Sequence, residues 1–343
     1  MKHISGKSVN INNVLVTGAS GFVGRYLVPE LLSAGYAVRV LTRDQGRLPA
    51  DWRANPGIVP WEGDICMPAT IRGVAEEIDC IIHLAAEGHV SSISEEAFRR
   101  FQQVNVDGLR AILEEGIASG VRRFIHFSST AAMGLIRKLG RVSEEDSPCP
   151  VTPYQKSKLA SETLAIGFGK IHGLPLVVLR PCMIYGIGGY GEFYKMSRMM
   201  RRGLFPKVGL GRNLTPLVHV KDVVQAALLS IDQGAAGSVY LVASERSLPL
   251  EEMRSLVLRG WGRKKAPCLY VPVWFMYALA WCFEQIAKVS GRPPLATRQN
   301  IASTVWDREF SIEKARRELG FHPSVQFEEG IPETVRWFRD GKR

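Results

Sequence analysis

Apolar and polar residues alternate with two different periods along this chain, and the switches between them set out its elements. Val14-Leu15-Val16-Thr17 is a β-branched run that predicts a buried strand over 13–17. After a glycine-rich turn, Leu27, Leu31 and Leu32 share one helical face and Gly35 closes the helix. Pro29 is expected near that helix's first turn, where a missing N–H costs little. Further apolar runs predict strands over 37–41, 58–61, 79–86, 122–128 and 176–181. Helical patterns fall between them: a stretch opening at Met67-Pro68-Ala69-Thr70, a long helix over 95–119, and one carrying Tyr154 and Lys158.

Past Tyr185 the pattern loosens into a glycine-rich loop over 188–191 and then short interleaved segments. A helix opens at His219-Val220-Lys221-Asp222, with Asp222 in its charged first turn. Two more are expected near the end, over 312–319 with Gly320 as its stop and over about 327–338. The 343 residues suffice for one large α/β domain and a smaller lobe. Residues 1–12 read as a flexible leader, 13–185 as the main domain with sheet contributions from later segments, and 186–343 mainly as a substrate lobe.

The first turn carries the strongest chemical signal. Gly18, Gly21 and Gly24 stand three apart between strand and helix. Gly18 permits a tight turn, Gly21 lets a pyrophosphate approach the main chain, and Gly24 lets helix and strand pack closely. The helix N-terminus then offers free N–H groups to an anion. Ser20, Phe22 and Val23 lie between these glycines and join them as nucleotide-binding candidates. After the second strand comes Leu41-Thr42-Arg43-Asp44. An acid directly after that strand would hold the ribose hydroxyls of NAD, whereas an arginine pairs with the extra phosphate of NADP. Thr42 takes the acid's place and Arg43 follows, with Arg39 and Arg47 nearby, so NADP is favoured over NAD. Asp44 competes from later in the loop. Asp64, beside Ile65, offers an acceptor for an adenine amino group or an N-cap for the next turn. Leu84-Ala85-Ala86 ends the fourth strand in small residues that allow a ligand close, whereas His83 reads as packed core.

Composition narrows the classes of partner. Hydrophobic residues make up 46% of the chain, enough for a sizeable core. The net charge of +11 favours anionic ligands or surfaces. Basic clusters at Arg198, Arg201, Arg202 and at Arg263, Lys264, Lys265 lack interleaved aromatics, which argues against nucleic acid and for a solvated face. Cys66, Cys80, Cys149, Cys182, Cys268 and Cys282 show neither Cys-x-x-Cys pairs nor metal spacing, so no metal and a reduced, cytoplasmic protein are expected. The polar start of the chain does not read as a signal peptide. The apolar stretch over 270–283 is shorter than the ~20 residues that cross a bilayer. It suits core, a lid over an apolar substrate, or peripheral membrane contact.

Tyr154 and Lys158 lie four apart, on one face of a helix. A tyrosine acting as a base near pH 7 needs its pKa lowered by ~3 units, about 4 kcal/mol of preferential phenolate stabilisation. A lysine one turn away and a positive nicotinamide ring would contribute to it. Asn105, mid-helix, needs partners for its amide and is a candidate tie to a water chain. Ser128-Ser129-Thr130 ends the fifth strand with hydroxyls facing the ligand crevice.

These motifs, in this order, resemble the extended short-chain dehydrogenase/reductases, within the NAD-dependent epimerase/dehydratase superfamily. The match also takes in His83-Leu84-Ala85-Ala86, Asn105-Val106, Arg180-Pro181-x-x-x-Tyr185-Gly186 and His219-Val220-x-Asp222, and covers nearly the whole length. The resemblance implies a Rossmann-type doubly wound parallel sheet and a bound NAD or NADP, with Pro181 among the cofactor contacts. It implies Tyr154 as general acid/base and Lys158 lowering its pKa and holding the nicotinamide ribose. Counting back from Gly134 selects Ser129, with Thr130 as fallback, although Met133 stands where the family usually has tyrosine. Asn105 would support the proton relay. The resemblance also implies a homodimer.

Two branches compete. One, hydroxysteroid dehydrogenase-like or dihydroflavonol reductase-like, moves hydride to or from an alcohol or ketone on an apolar small molecule. The other comprises nucleotide-sugar epimerases and dehydratases with tightly held NAD. The apolar 271–283 segment followed by Gly291-Arg292-Pro293-Pro294, the Arg43 position, and Thr215 four residues before His219, where nucleotide-sugar enzymes commonly place arginine, favour the first. Arg212 is a nearby substitute. A non-catalytic nucleotide sensor or assembly protein is a third reading, disfavoured by the intact Ser129, Tyr154 and Lys158 trio.

Overall fold

A computed structural model of the chain describes residues 11–88, 95–138, 140–208, 213–290, 294 and 297–341. Arg212, the loop over 209–211 and Gly291-Arg292-Pro293 lie outside the described residues, as do 1–10 of the leader. Six strands, β1 (Asn13–Thr17), β2 (Ala37–Thr42), β3 (Ile58–Glu62), β4 (Cys80–His83), β5 (Arg123–Phe127) and β6 (Leu176–Pro181), share one sheet with Val239–Val242. Its order is Val239–Val242, β6, β5, β4, β1, β2, β3, and every pairing is parallel. The order reverses between β1 and β4, which is where a doubly wound sheet opens its ligand crevice. Thr17 stands opposite His83, and His83 opposite His126, so the strand ends that flank this crevice are polar.

The strands are buried on both faces, which explains their unbroken β-branched runs. One face is covered by α1 (Phe22–Ser33), α7 (Val220–Asp232) and α11 (Glu313–Leu319) through Leu27, Leu31, Val223, Ala227 and Leu319. The other takes α4 (Gly108–Ala118) and α5 (Pro153–His172) through Leu109, Ile112, Leu113 and Ala165. The short α2 (Ala50–Arg53) and α3 (Glu95–Gln102) complete this part. A separate apolar cluster builds the lobe from α6 (Glu192–Arg202), α8 (Leu250–Gly260) and α12 (Phe327–Asp340), with Phe193, Met253, Val257, Ile331 and Val335 buried together. Two further helices, α9 (Val273–Ser290) and α10 (Arg298–Val305), lie beside it.

Several local expectations change. Helix α1 starts at Phe22, so Pro29 sits inside it, not in the first turn, and its missing N–H interrupts the helical ladder there. The stretch at 67–70 is one 3-10 turn, Pro68–Thr70. The fourth strand ends at His83, because the chain then rises over the Gly18 turn. The long helix over 95–119 is broken by a π-helical segment, Gln103–Asp107, between α3 and α4. That segment holds Asn105. Among the described residues no helix is long and apolar enough to cross a membrane.

Candidate active site

The glycine turn is shaped as the sequence requires. Gly18 has φ +70°, and a Cβ there would sit 2.8 Å from the Ala85 main-chain nitrogen. At Gly24 a Cβ would lie 2.3 Å from the Ala19 carbonyl oxygen. Gly21 is the N-cap of α1, and no side chain caps the helix among the described residues. Its first N–H groups therefore face the crevice as an anion cradle. The turn also meets Leu84, Ala85 and Ala86: Leu84 N–H donates to Thr17 O at 3.1 Å and Ala85 N–H to Thr17 Oγ1 at 3.3 Å. This cradle has the form a dinucleotide needs, and Gly18, Ser20, Gly21, Phe22 and Val23 are the residues that would hold its pyrophosphate.

Toward the adenosine end, Asp64 Oδ1 accepts from Cys66 N–H at 2.9 Å while the neighbouring Ile65 is buried. Thr42 Oγ1 donates to Asp44 O, and Asp44 Oδ1 accepts from Gly46 N–H, so Asp44 caps its own turn. Arg47 pairs with Asp44 at 3.7 Å. Arg39 is turned away: its Nη1 donates to Val74 O and Glu76 O, and the guanidinium stacks on Trp61. Arg43 is exposed. It therefore remains the candidate for an extra phosphate, while Arg39 does not. At the other end Pro181 closes β6 opposite Val242.

Helix α5 carries Tyr154 and Lys158 in its first two turns, started by a Thr152–Gln155 capping box with Pro153 at its first position. Burial pushes the Tyr154 phenol up to about 12, against a hydrogen bond from the Ser129 hydroxyl that pulls it down. The ring rests edge-on against Phe101, centroids 5.6 Å apart. Ser129 is placed by the sharp turn that ends β5, where its Oγ accepts from Ala131 N–H at 3.1 Å. Thr130 begins the 3-10 turn that follows. Gly134 closes that turn with φ +70°, and a Cβ there would collide with the Cys149 carbonyl. Lys158 Nζ donates to Phe127 O at 2.9 Å. Burial brings its ammonium down to about 8, and Glu162 opposes the fall. Glu162 is itself gripped by the Arg180 guanidinium in a buried pair.

In the protein alone desolvation thus sets the tyrosine, and what opposes it is the Ser129 hydroxyl, not the Lys158 ammonium expected from the sequence. In this state Tyr154 holds its proton and is set to donate it. A nicotinamide cofactor, when bound, would supply or accept the hydride, and Tyr154, Lys158 and Ser129 are the residues that would meet it. Ser129, sharing a hydrogen bond with Tyr154, is placed to hold the same substrate oxygen.

Both polar atoms of Asn105 have partners in the protein. Its Oδ1 accepts from Glu87 N–H at 2.8 Å, and its Nδ2 donates to Glu87 O at 3.2 Å and Ser157 Oγ at 3.1 Å. It braces the loop after β4 against α5. Ser157 and Glu87 are site supports that residue-by-residue reading missed; Ser157 lay in plain view, three residues after Tyr154. His83 and His126 stack at 5.8 Å beneath the site, and burial beside Lys158 brings His83 down to about 3 and His126 well below its ordinary value. They are neutral core residues. His219 and Asp222 also serve structure: His219 Nδ1 caps α7 and Asp222 Oδ1 accepts from Ser324 N–H and Oγ–H.

A cavity of about 280 Å³ is lined by Leu135, Val151, Tyr277, Arg298, Ala302 and Trp306. Leu135 directly follows Gly134, and Val151 lies three residues before Tyr154. Arg298 is held by Glu284, which accepts from both its main-chain N–H and its Nε at 2.8 Å. Arg308 is another matter. Burial pushes its guanidinium down, the nearby Cys182 opposing, and its Nε has no hydrogen-bond partner among the described residues.

Residues 14–243 match the model of the NAD dependent epimerase/dehydratase family. Over 95% of this chain and 97% of its own length, a dTDP-glucose 4,6-dehydratase of Actinoplanes sp. is 30% identical. A 3-beta-hydroxysteroid dehydrogenase of Mycolicibacterium neoaurum is 28% identical over 96% and 92%. The crystal structure of a UDP-glucose 4-epimerase from Thermotoga maritima superposes with a TM-score of 0.76 at 26% identity, covering 96% of this chain and 99% of its own. The chain belongs to the NAD-dependent epimerase/dehydratase family and is an enzyme of that superfamily.

Proposed function

We propose that this member of the family is an NADP-dependent oxidoreductase that moves hydride between nicotinamide and an alcohol or ketone on an apolar, ring- or chain-bearing substrate. The cavity lined by Leu135 and Val151, near Ser129 and Tyr154 along the chain, carries the reading. Its walls are aliphatic and aromatic, and its one cation, Arg298, is engaged by Glu284. A large apolar body gains most from such walls, with Ser129 and Tyr154 left to fix one oxygen. During reduction the Tyr154 hydroxyl gives its proton to the substrate oxygen as hydride arrives at the carbon; oxidation is the reverse. Dehydration is disfavoured on chemical grounds. Expelling water needs a further acid at the leaving hydroxyl, and the turn after Ser129 is Thr130-Ala131-Ala132-Met133, without a carboxylate.

A screen of sterols, flavanonols, short ketones and UDP-sugars against NADP and NAD, read by absorbance of the reduced nicotinamide, tests this. Turnover of an apolar carbonyl or alcohol with NADP is expected. Conversion of a nucleotide sugar without net use of added cofactor would overturn it. Arg308 favours that second reading, a nucleotide-sugar epimerase, because a diphosphate would supply the partner its Nε lacks among the described residues.

A further inference from the structure

Helix α9 is built the wrong way round for a helix facing water. Trp274, Phe275, Trp281, Cys282, Ile286 and Val289 are all exposed, Trp274 at 72% and Val289 at 91%. Their spacing puts them on one face. The helix has only two charged residues, Glu284 and Lys288. Glu284 is turned inward to Arg298. An ordinary surface helix shows charge to solvent and apolar groups to the core; here large aromatic and aliphatic side chains are outward.

What leads into this helix is cationic. The chain enters α9 through Tyr270–Val271, which pairs with Lys207–Val208 just after α6. That pairing joins two basic clusters that are far apart in sequence. Arg263 Nη1 donates to Arg201 O at 3.2 Å, and the Gly203 turn packs on Pro267. Arg198, Arg201, Arg202, Arg263, Lys264 and Lys265 are all exposed in this region. Leu204, Leu269 and Tyr270 add exposed apolar groups between the cations and α9.

We infer that α9 and the joined basic clusters form one docking surface for a bilayer with anionic headgroups. The aromatic face enters the headgroup boundary, where indole rings are best placed, and the cations meet lipid phosphates. Spanning is not involved, since α9 is too short and insufficiently apolar. The inward side of the same helix brings Tyr277 to the cavity. An apolar substrate would thus leave the membrane next to the site; that consequence rests on the oxidoreductase reading, whereas docking does not.

The test is co-sedimentation of the full chain with vesicles at low ionic strength. Vesicles of phosphatidylcholine and phosphatidylglycerol in equal parts should carry the protein down, with a blue shift of its tryptophan emission. Phosphatidylcholine alone should bind it roughly tenfold less, and added salt should release it. Lys264→Glu with Lys265→Glu should weaken binding to the anionic vesicles by roughly tenfold or more. Trp274→Ser with Trp281→Ser should abolish the blue shift while circular dichroism and dinucleotide binding stay unchanged. Absence of sedimentation with either vesicle overturns the inference. So does binding that both variant pairs leave intact, or a dimer in solution that the tryptophan pair dissolves without any vesicle binding.

Discussion

Asn105 Nδ2 donates to Ser157 Oγ at 3.1 Å, and Ser157 Oγ donates to the main-chain oxygen of Tyr154 at 2.8 Å. The π-helical segment between α3 and α4 makes this reach possible, because an extra residue in a turn re-aims a side chain. Asn105→Leu keeps the volume and removes three hydrogen bonds, leaving the Glu87 main chain unsatisfied. Stability should fall by ~1–3 kcal/mol, measured by urea unfolding. Turnover should fall more than cofactor affinity, since the brace holds α5 and not the glycine turn. Unchanged turnover would remove Asn105 from the supports of the site.

Tyr154→Phe keeps the ring on Phe101 and deletes only the hydroxyl. Turnover should drop by ~10²–10⁴-fold, the usual worth of a positioned acid or base, while dinucleotide affinity stays close to that of the parent. Steady-state kinetics and a fluorescence titration of the cofactor check both halves. Turnover near the parent value would refute the role.

Arg43→Glu tests the phosphate reading. Loss of one charge-assisted contact should raise the KM for NADP by ~10- to 100-fold and leave NAD little changed or improved. Arg39→Gln should not do this, because that guanidinium is committed to Val74 O and Glu76 O. Separate titrations with the two cofactors decide it. A parent enzyme that already prefers NAD would defeat the assignment.

Acid should unfold this protein through its core. His83 is down at about 3, against an ordinary 6.5, and His126 lies well below 6.5, both through burial. Below 6.5 the unfolded chain takes up protons that the native state refuses. Their contribution is therefore complete above pH 6.5 and is lost as pH falls toward 3. Each histidine contributes a slope of ~1.4 kcal/mol per pH unit in that window. Denaturant midpoints taken across it should fall less steeply in a His83→Asn, His126→Asn double variant. An unaltered slope would place the acid sensitivity elsewhere.

The α/β pattern, the six strand segments and the glycine turn were legible in the residues, because each is a matter of near neighbours. Gly18, Gly21 and Gly24 are needed by main-chain geometry within one turn, and the β-branched runs by burial on both faces. The capping box at Thr152 and the helical spacing of Tyr154 and Lys158 are likewise local. The sequence alone therefore determined the strand–turn–helix with its uncapped helix start, and that Tyr154 and Lys158 share the first turns of α5.

Tertiary structure decided what those residues touch. Asn105 finds Glu87 and Ser157 only when three elements meet, and no spacing announces that. Arg39 stood near Arg43 as a further cation until the sheet turned it onto Trp61. Desolvation set the Tyr154 phenol above, not below, its ordinary value, since burial depends on everything packed around a group. The segment over 270–283 was open among core, lid and membrane contact; the fold turned Tyr277 to a cavity and Trp274 to solvent. Two basic clusters some sixty residues apart became neighbours through one short strand pairing. Each of these depends on long-range contacts, whose partners a local pattern does not encode.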